Sequence, residues 1–333
     1  MSILERLKEM QEAQGQNRLV MILDGMGVSI INKVLDKNSF FSKNLAATDT
    51  AIIPATTVAA TTAYRTGKMP YQTGFIGWTQ YFSETDEVIE VFLNTNYYTG
   101  KPSKIPNLAD ILSCKTVVEQ MKSNGKSAFE IMPNFVPDGC KTFEEWLEKI
   151  VETCNRETNA YIYAYWSEPD AVLHEFGENS DKTKVLLRDM EQKVEKSLGK
   201  ITNKTKVLIT ADHGHKLDKP LYLTDYPDIE QALLHPISIE ARCASLFIKP
   251  EKISEFPDMF NKHFDKWFKL VTKQEFEKNY LFADKSVRFV GDFMALATSD
   301  YGLYQNRDVT YFVSNHAGIT KEELEIPVIE ISI

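Results

Sequence analysis

Three acidic residues follow apolar, strand-like runs of the sequence. They are Asp24 after residues 18–23, Asp170 after the aromatic run 160–166, and Asp212 after residues 206–211. If these runs are neighbouring strands of a parallel sheet, the three side chains meet at its carboxyl edge, where open α/β sheets bind their ligands. An aspartate after a strand is also a common turn or helix-capping residue, so each one alone is weak evidence.

Histidines accompany two of these aspartates. Asp170 and His174 are four residues apart in the segment EPDAVLH, so on a helix both side chains would lie on one face and could bind one metal ion. Asp212 and His213 are adjacent and could reach a common ion only from the irregular backbone of a loop. Each pair also has a purely structural explanation. Asp170 could cap a helix, with His174 at the surface, and Asp212 with His213 could form a polar turn.

The other histidines differ in their surroundings. His316 lies in a glycine-containing loop sequence and is a further candidate ligand. His215, His235 and His263 stand out less, and His263 falls in a charged, helical stretch where a surface position is expected.

A hydroxyl-bearing segment, PATT at residues 54–57, leads into a helix-compatible run of small residues. A hydroxyl at a helix N-terminus is favoured as a cap, which is the structural explanation of Thr56 or Thr57. The functional alternative is a nucleophile, because the positive end of the helix dipole and a nearby divalent ion would both favour an alkoxide. This segment alone does not decide between the two.

Taken together, five ordered motifs resemble the alkaline phosphatase superfamily, and most closely its nucleotide pyrophosphatase/phosphodiesterase branch. They are LDGMG (23–27), PATT (54–57) with RTGKMPYQTG (65–74), EPDAVLH (168–174), ADHGH (211–215) and NHAG (315–318). Their order along most of the chain argues against a chance match. The resemblance implies an alkaline-phosphatase-like fold and a metal-dependent phosphoric ester hydrolase.

The resemblance also implies two divalent metal ions a few ångströms apart. One would be held by Asp170, His174 and His316, and the other by Asp24, Thr57, Asp212 and His213. Two such cations would neutralise carboxylates that otherwise repel one another across one pocket. The ligands are nitrogen and oxygen atoms without a thiolate, which suits Zn²⁺ and also admits Mn²⁺. In the implied mechanism Thr57 attacks phosphorus, and water later hydrolyses the phosphothreonine.

Two positions depart from the pattern of this branch. Its phosphodiesterases place an asparagine a few residues after the TG…P…G stretch, where it helps to hold a phosphoryl oxygen, and the matching position here is Trp78. Thr79 or Gln80 could substitute, so Trp78, Thr79 and Gln80 are the predicted substrate contacts. The late motif is His-Ala-Gly (316–318) instead of His-Gly, which keeps the ligand and changes the loop behind it. A preference for nucleotides is therefore left open.

The elements that would position these residues alternate between strands and helices. Short apolar strands, helical stretches such as 107–123 and 181–198, and a last strand at 326–331 predict an α/β fold with a mostly parallel sheet and helices on both faces. We predict a metallohydrolase core at 15–240 and 305–333 with an excursion at about 85–150, an inserted α+β lobe at 241–304, and an N-terminal helix at 1–14. The inserted regions are expected to frame the substrate pocket.

Composition and charge restrict the class of partner. A net charge of −9 argues against a protein whose main task is to neutralise a nucleic acid or an anionic membrane, whereas a local cation can still bind a small phosphorylated substrate. The N-terminal sequence lacks the pattern of a secretory signal, and its apolar runs are far shorter than the roughly 20 residues of a membrane span. Four scattered cysteines without a CxxC pair are expected to be reduced, which predicts a cytoplasmic location. The oligomeric state is left open.

The leading hypothesis is a two-metal-ion hydrolase of phosphate esters, acting on phosphodiester or pyrophosphate bonds through a phosphothreonine at Thr57. The alternatives within the enzyme class are a phosphomonoesterase and a phosphonate hydrolase of the phosphonoacetate type. An alternative of another class is a non-catalytic binding module that keeps the fold. The presence of all the implied metal ligands argues against that module.

Overall fold

The computed structural model describes residues 2–281 and 287–333. Its strands are β1 (Asn17–Leu23), β2 (Leu45–Thr50), β3 (Thr79–Phe82), β4 (Glu87–Glu90), β5 (Thr95–Asn96), β6 (Ala128–Ile131), β7 (Tyr161–Trp166), β8 (Thr205–Thr210), β9 (Lys216–Leu217), β10 (Pro220–Tyr222), β11 (Ser238–Glu240), β12 (Cys243–Leu246), β13 (Phe268–Thr272), β14 (Phe293–Ala297), β15 (Gly302–Tyr304), β16 (Ser314–Asn315) and β17 (Glu325–Ser332). Its α-helices are α1 (Ile3–Glu12), α2 (Val28–Val34), α3 (Phe40–Lys43), α4 (Thr57–Thr66), α5 (Pro70–Thr73), α6 (Val117–Ser123), α7 (Phe143–Arg156), α8 (Asp170–Phe176), α9 (Asp181–Leu198), α10 (Pro227–Ala232), α11 (Phe256–Phe264), α12 (Lys273–Phe276) and α13 (Lys321–Leu324).

A six-stranded sheet in the order β2-β17-β8-β1-β7-β6 forms the centre of the molecule. β1 pairs in parallel with β7 and β8, β6 pairs in parallel with β7, and β17 joins β8 and β2 in antiparallel orientation. Every residue of β1 and β7 is buried. Since successive side chains of a strand point to opposite faces, both faces of this sheet are covered, and helices provide much of the covering core. The predicted mostly parallel α/β sheet is confirmed.

The helical stretches predicted from the sequence are found with shorter or equal bounds. The expected helix at 181–198 is α9 (Asp181–Leu198). The stretch 107–123 forms a short 3₁₀ helix at Leu108–Asp110 and an α-helix only from Val117. The predicted N-terminal helix corresponds to α1, which buries Ile3, Leu7 and Met10, while residue 1 lies outside the described residues. None of the described helices is long and apolar enough to cross a membrane.

A second, antiparallel sheet has the order β13-β14-β12-β11-β3-β4-β5. It combines strands from residues 79–96 with strands from residues 238–297, so its limits differ from those predicted for the lobe at 241–304. The residues predicted as an excursion at about 85–150 contribute to both sheets, because β4 and β5 belong to the second sheet and β6 belongs to the central sheet. Antiparallel pairing between segments far apart in sequence leaves no local pattern that would reveal it. Residues 282–286 of the predicted lobe lie outside the described residues.

A buried network of charges joins the second sheet to the loop that follows β16. The Arg242 guanidinium, between β11 and β12, donates to Glu323 through Nε at 2.6 Å and through Nη2 at 2.9 Å, and to Asp218 through Nη1 at 3.2 Å. These three side chains are fully buried. Glu323 also accepts the backbone N–H of Gly318 at 2.7 Å, two residues after His316. The network therefore fixes the loop that carries His316.

Candidate active site and metal centre

The three aspartates predicted from the strand ends lie together. β1 is the neighbour of both β7 and β8 in the sheet, so Asp24, Asp170 and Asp212 emerge side by side at the carboxyl edge. The backbone N–H of Asp170 donates to the carbonyl oxygen of Asp24 at 3.0 Å. The backbone N–H of Gly25 donates to Oδ1 of Asp212 at 3.1 Å. Backbone contacts thus hold the three loops against one another.

One cluster of candidate metal ligands consists of Asp170, His174 and His316, whose ligand atoms lie within 4.8 Å of one another. Asp170 opens α8 and His174 lies one turn later, so Nε2 of His174 comes within 3.3 Å of Oδ1 of Asp170. His316 reaches the same place from the loop after β16. The geometry agrees with the prediction that Asp170 and His174, four residues apart, lie on one face of a helix.

A second cluster consists of Asp24, Asp212 and His213, again within 4.8 Å of one another. Nε2 of His213 lies 3.4 Å from Oδ1 of Asp24 and 3.6 Å from Oδ2 of Asp212. The Thr57 hydroxyl lies at this cluster, 3.1 Å from Nε2 of His213 and 3.4 Å from Oδ2 of Asp24. Thr57 is the first residue of α4 and Thr56 is its N-cap, so the hydroxyl of Thr57 also lies at the positive end of a helix dipole.

The donor atoms of both clusters fit divalent cations. In each of the three histidines Nδ1 contacts a backbone carbonyl oxygen: Ser314 for His174 at 2.9 Å, Gly214 for His213 at 3.1 Å, and Ala55 for His316 at 3.2 Å. A carbonyl oxygen can only accept, so Nδ1 carries the proton and Nε2 offers its lone pair to the cluster. Oδ2 of Asp212 is buried without a hydrogen-bond partner among the described residues, which a bound cation would satisfy.

The electrostatics of the three aspartates also favours a site for cations. Burial, together with repulsion from Asp212 and Asp170, raises the pKa of Asp24 well above its usual value. Burial also raises the pKa of Asp212, although the neighbouring His213 opposes the shift. For Asp170 burial acts in the same direction, but His174 and His215 outweigh it and hold its pKa well below the usual range. Buried carboxylates that repel one another are stabilised when positive charge is placed between them.

His215, set aside on the sequence, belongs to this centre. Its Nε2 lies 2.6 Å from Oδ1 of Asp170 and its Nδ1 lies 3.2 Å from Oγ of Ser314. With Asp170 and His213 it forms a third group whose ligand atoms lie within 4.8 Å of one another. Its position two residues after His213 was the available signal, because a short irregular loop can turn both side chains to one side. Of the other two histidines set aside, His263 pairs with Asp228 at the surface and His235 stacks on Tyr81.

A cavity of about 330 Å³ opens beside the two clusters and is lined by Thr57, Asp170, His174 and His316. Of the predicted substrate contacts, Trp78 and Thr79 line this cavity, and the Thr79 hydroxyl donates to the carbonyl oxygen of Ile239 at 3.3 Å. Gln80 does not line it. Its side chain is fully buried and bonds to the backbone of Ile76 and Gly74.

Glu240 is a site residue that no sequence motif predicts. It ends β11 and lines the cavity, where its Oε1 accepts the Thr56 hydroxyl at 2.5 Å and the backbone N–H of Trp78 at 2.9 Å. Burial raises its pKa to about 7, although these hydrogen bonds oppose the shift. The pairing of β11 with β3 brings Glu240 to Trp78, and the hydrogen bond from Thr56 places it beside the residue that precedes the candidate nucleophile. Both contacts join segments far apart in sequence.

The chain is similar to proteins of one family along most of its length. The family model for type I phosphodiesterase / nucleotide pyrophosphatase matches residues 18–320. No curated protein gives a significant match.

Several solved structures share the fold. Murine ectonucleotide pyrophosphatase / phosphodiesterase 5 superposes with a TM-score of 0.72 at 18% identity, over 94% of this chain and 87% of that chain. An inactive threonine-to-alanine variant of the murine protein, in complex with AMP, gives a TM-score of 0.71 at 17% identity, over 94% and 87% of the two chains. Phosphonoacetate hydrolase from Sinorhizobium meliloti 1021, in complex with phosphonoacetate, gives 0.69 at 13% identity, over 95% and 90%. At these identities the likeness establishes the fold.

Proposed function

This chain belongs to the type I phosphodiesterase / nucleotide pyrophosphatase family, and we propose that it hydrolyses phosphodiester or pyrophosphate bonds with two divalent metal ions and a covalent phosphothreonine at Thr57. Asp170, His174 and His316 would hold one ion, and Asp24, Thr57, Asp212 and His213 the other. The all-nitrogen-and-oxygen ligand set suits Zn²⁺ and admits Mn²⁺.

The observation that carries the proposal is the position of the Thr57 hydroxyl. It lies 3.1 Å from Nε2 of His213 and opens into the cavity at the first turn of α4. It is thus the hydroxyl that borders both a ligand cluster and the space where a substrate would bind.

Each part of the chain has a separate task in the proposed reaction. The bound cations would supply the positive charge that favours the threonine alkoxide and neutralises phosphoryl oxygens. Oγ1 of Thr57 forms a bond to phosphorus while the bond from phosphorus to the leaving oxygen breaks, and water then cleaves the phosphothreonine. The helix dipole of α4 stabilises negative charge at Oγ1. Trp78 and Thr79 border the group attached to the phosphoryl centre.

The family relatives support this choice among the alternatives. The murine relative that was captured with AMP is an inactive threonine-to-alanine variant, in agreement with an essential threonine. Phosphonoacetate carries a carboxylate next to the phosphonate, and the described residues that line the cavity include no lysine or arginine to bind it. A phosphate ester is therefore favoured over a phosphonate of that type.

The expected partner is a small phosphorylated molecule rather than a nucleic-acid polymer or a membrane, in keeping with the net charge of −9. All four cysteines are free, which supports the predicted cytoplasmic location.

The test uses the purified chain reconstituted with Zn²⁺ or Mn²⁺ and the chromogenic substrates bis(p-nitrophenyl) phosphate and p-nitrophenyl phosphate. We expect the diester to be the better substrate, and we expect Thr57→Ala to lower kcat by about a thousandfold or more, since loss of a nucleophile removes the covalent route. Metal analysis of the variant should still find both ions, because the carboxylate and imidazole ligands remain. Thr57→Ser, which retains the hydroxyl, serves as the matched control and should keep part of the activity.

Each negative outcome has a distinct meaning. If neither ester is hydrolysed with any metal, the proposed activity is wrong. If both are hydrolysed and Thr57→Ala is as active as the wild type, the covalent mechanism is wrong. A better rate with the monoester would favour the phosphomonoesterase alternative.

A further inference from the structure

The cavity beside the candidate metal centre has an unusual wall for a site that acts on anions. The residues that line it include two glutamates, Glu90 and Glu240, which come from β4 and β11 of the second sheet. Within the described part of the chain neither glutamate forms an ion pair, and no lysine or arginine lines the cavity. Apart from the candidate metal ligands, the cavity therefore presents negative charge alone.

Aromatic rings make up much of the remaining wall. They are Trp78, Tyr97, Tyr98, Tyr304 and Phe312. Hydrogen bonds hold several of them in place: the Trp78 indole N–H donates to Oε1 of Glu90 at 3.0 Å, and the Tyr98 hydroxyl donates to the carbonyl oxygen of Ile237 at 2.6 Å. Rings fixed in this way can bind a ligand with little loss of side-chain entropy.

The two carboxylates retain unused acceptor capacity. Glu90 accepts the Trp78 indole N–H at Oε1 and the Thr95 hydroxyl at Oε2, so its charge is hydrogen-bonded but not neutralised. Glu240 uses Oε1 for both of its hydrogen bonds, and its Oε2 has no partner among the described residues. Burial is the main cause that raises the pKa of Tyr97, and the nearby carboxylates of Glu240 and Glu90 add to it.

A separate observation points to a ligand in the same place. Ser238, only 3% exposed, lines the cavity and its Oγ has no hydrogen-bond partner among the described residues. A buried hydroxyl without a partner costs free energy, which a ligand that contributes a polar atom recovers.

We infer that the cavity selects phosphate esters whose organic substituent carries a positive charge, an ammonium group bound by the aromatic rings and by the carboxylates of Glu90 and Glu240. The inference rests on the proposed function, since the phosphoryl group must lie at Thr57 and the metal ligands for the substituent to reach this wall. Aromatic faces attract an organic cation, most strongly when it is desolvated. Glu90 supplies opposite charge, and an ammonium group bound beside Glu240 favours the ionised form of that buried carboxyl group as well. The same carboxylates repel a substituent that carries a further phosphate or carboxylate.

The test compares three p-nitrophenyl phosphodiesters that share the same chromophore. The first is the diester of choline phosphate, the second its 3,3-dimethylbutyl analogue, in which carbon replaces the nitrogen, and the third the ester of thymidine 5′-monophosphate. The first two have nearly the same shape and differ in charge. We expect kcat/KM to be at least about tenfold higher for the cationic ester than for its carbon analogue, in line with the strength of a desolvated cation–π contact.

Variants that remove a charge test whether Glu90 and Glu240 cause the preference for the cationic ester. Glu90→Gln and Glu240→Gln keep an acceptor oxygen for the Trp78 and Thr56 donors but lose the negative charge. Each should lower the ratio of kcat/KM between the cationic and the neutral ester by about threefold or more. The ratio is measured on one sample, so a partly unfolded preparation does not distort it. Glu148→Gln, on the exposed side of α7, is the control and should leave the ratio unchanged.

The outcomes separate this inference from the proposed function. Hydrolysis of none of the three diesters would overturn the proposed function itself. Hydrolysis of the cationic and neutral esters at equal kcat/KM, a higher value for the thymidine ester, or a ratio unaffected by both glutamine variants would overturn the cation site and leave the phosphodiesterase proposal standing.

Discussion

His215 belongs to the candidate metal centre although it is absent from the ligand sets that the family resemblance implies. Oγ of Ser314 donates its proton to the carbonyl oxygen of Lys216 at 3.0 Å, so it must accept from Nδ1–H of His215. Nε2 of His215 then presents a lone pair to Oδ1 of Asp170 at 2.6 Å. Two such acceptors are stable at this distance only when a proton or a metal ion lies between them.

We therefore predict that His215→Ala weakens binding of one of the two ions by about 10- to 100-fold, the usual cost of losing a residue that supports a metal ligand. Competition titration with a chromophoric chelator measures this affinity independently of activity. His263→Ala, at the surface, should leave both affinities unchanged. Equal affinities in His215→Ala and the wild type would show that Asp170 is held by its other neighbours alone.

At the scale of secondary-structure elements, strand order decides which parts of the site could be predicted. Asp24, Asp170 and Asp212 follow from the sequence, because neighbouring parallel strands end at one edge and each strand is recognisable as an apolar run. Glu90 and Glu240 could not be predicted, since they depend on β4 and β11 joining one antiparallel sheet. His215 was misjudged because the conformation of a short loop, not the spacing, turns it toward Asp170.

The Arg242 network connects secondary-structure elements that are far apart in sequence. Arg242 ties the second sheet to Glu323, which in turn holds the loop of His316 through the backbone of Gly318. Burial opposes the charge of Arg242, but Glu323 and Asp218 outweigh it and raise the pKa of the guanidinium. The network is thus a link between the sheet that forms the cavity wall and the sheet that carries the aspartates.

We predict that Arg242→Met lowers the free energy of unfolding by about 3–5 kcal/mol, because Glu323 and Asp218 would be left buried without their partner. Urea denaturation of the metal-free protein measures this change. Arg156→Met, which breaks an ion pair with Glu157 on an exposed helix end, is the control and should change it by less than about 1 kcal/mol. A loss below about 1 kcal/mol in Arg242→Met would mean that hydrophobic packing alone joins the two sheets.

At the scale of the whole molecule, we expect the central sheet and the candidate metal centre to make separate contributions to stability. The core cluster built on β1, β7 and β8 is large and apolar, and burial of apolar surface is expected to stabilise it without a ligand. The centre above it concentrates Asp24, Asp170 and Asp212 in one buried place, which costs free energy when no cation is bound. The chain should therefore fold without metal and become more stable when metal binds.

We predict that metal-free protein, prepared with a chelator, keeps its circular dichroism spectrum and gains about two Zn²⁺ or Mn²⁺ per chain on reconstitution, with a higher Tm. A ligand at 100 times its Kd stabilises the folded state by about 2.7 kcal/mol, so the rise in Tm should be several degrees. Asp212→Asn removes a ligand charge from one cluster and should retain one ion. Metal analysis after gel filtration gives the stoichiometry. A chain that retains no ion, or whose Tm does not respond to added metal, would contradict the assignment of both clusters.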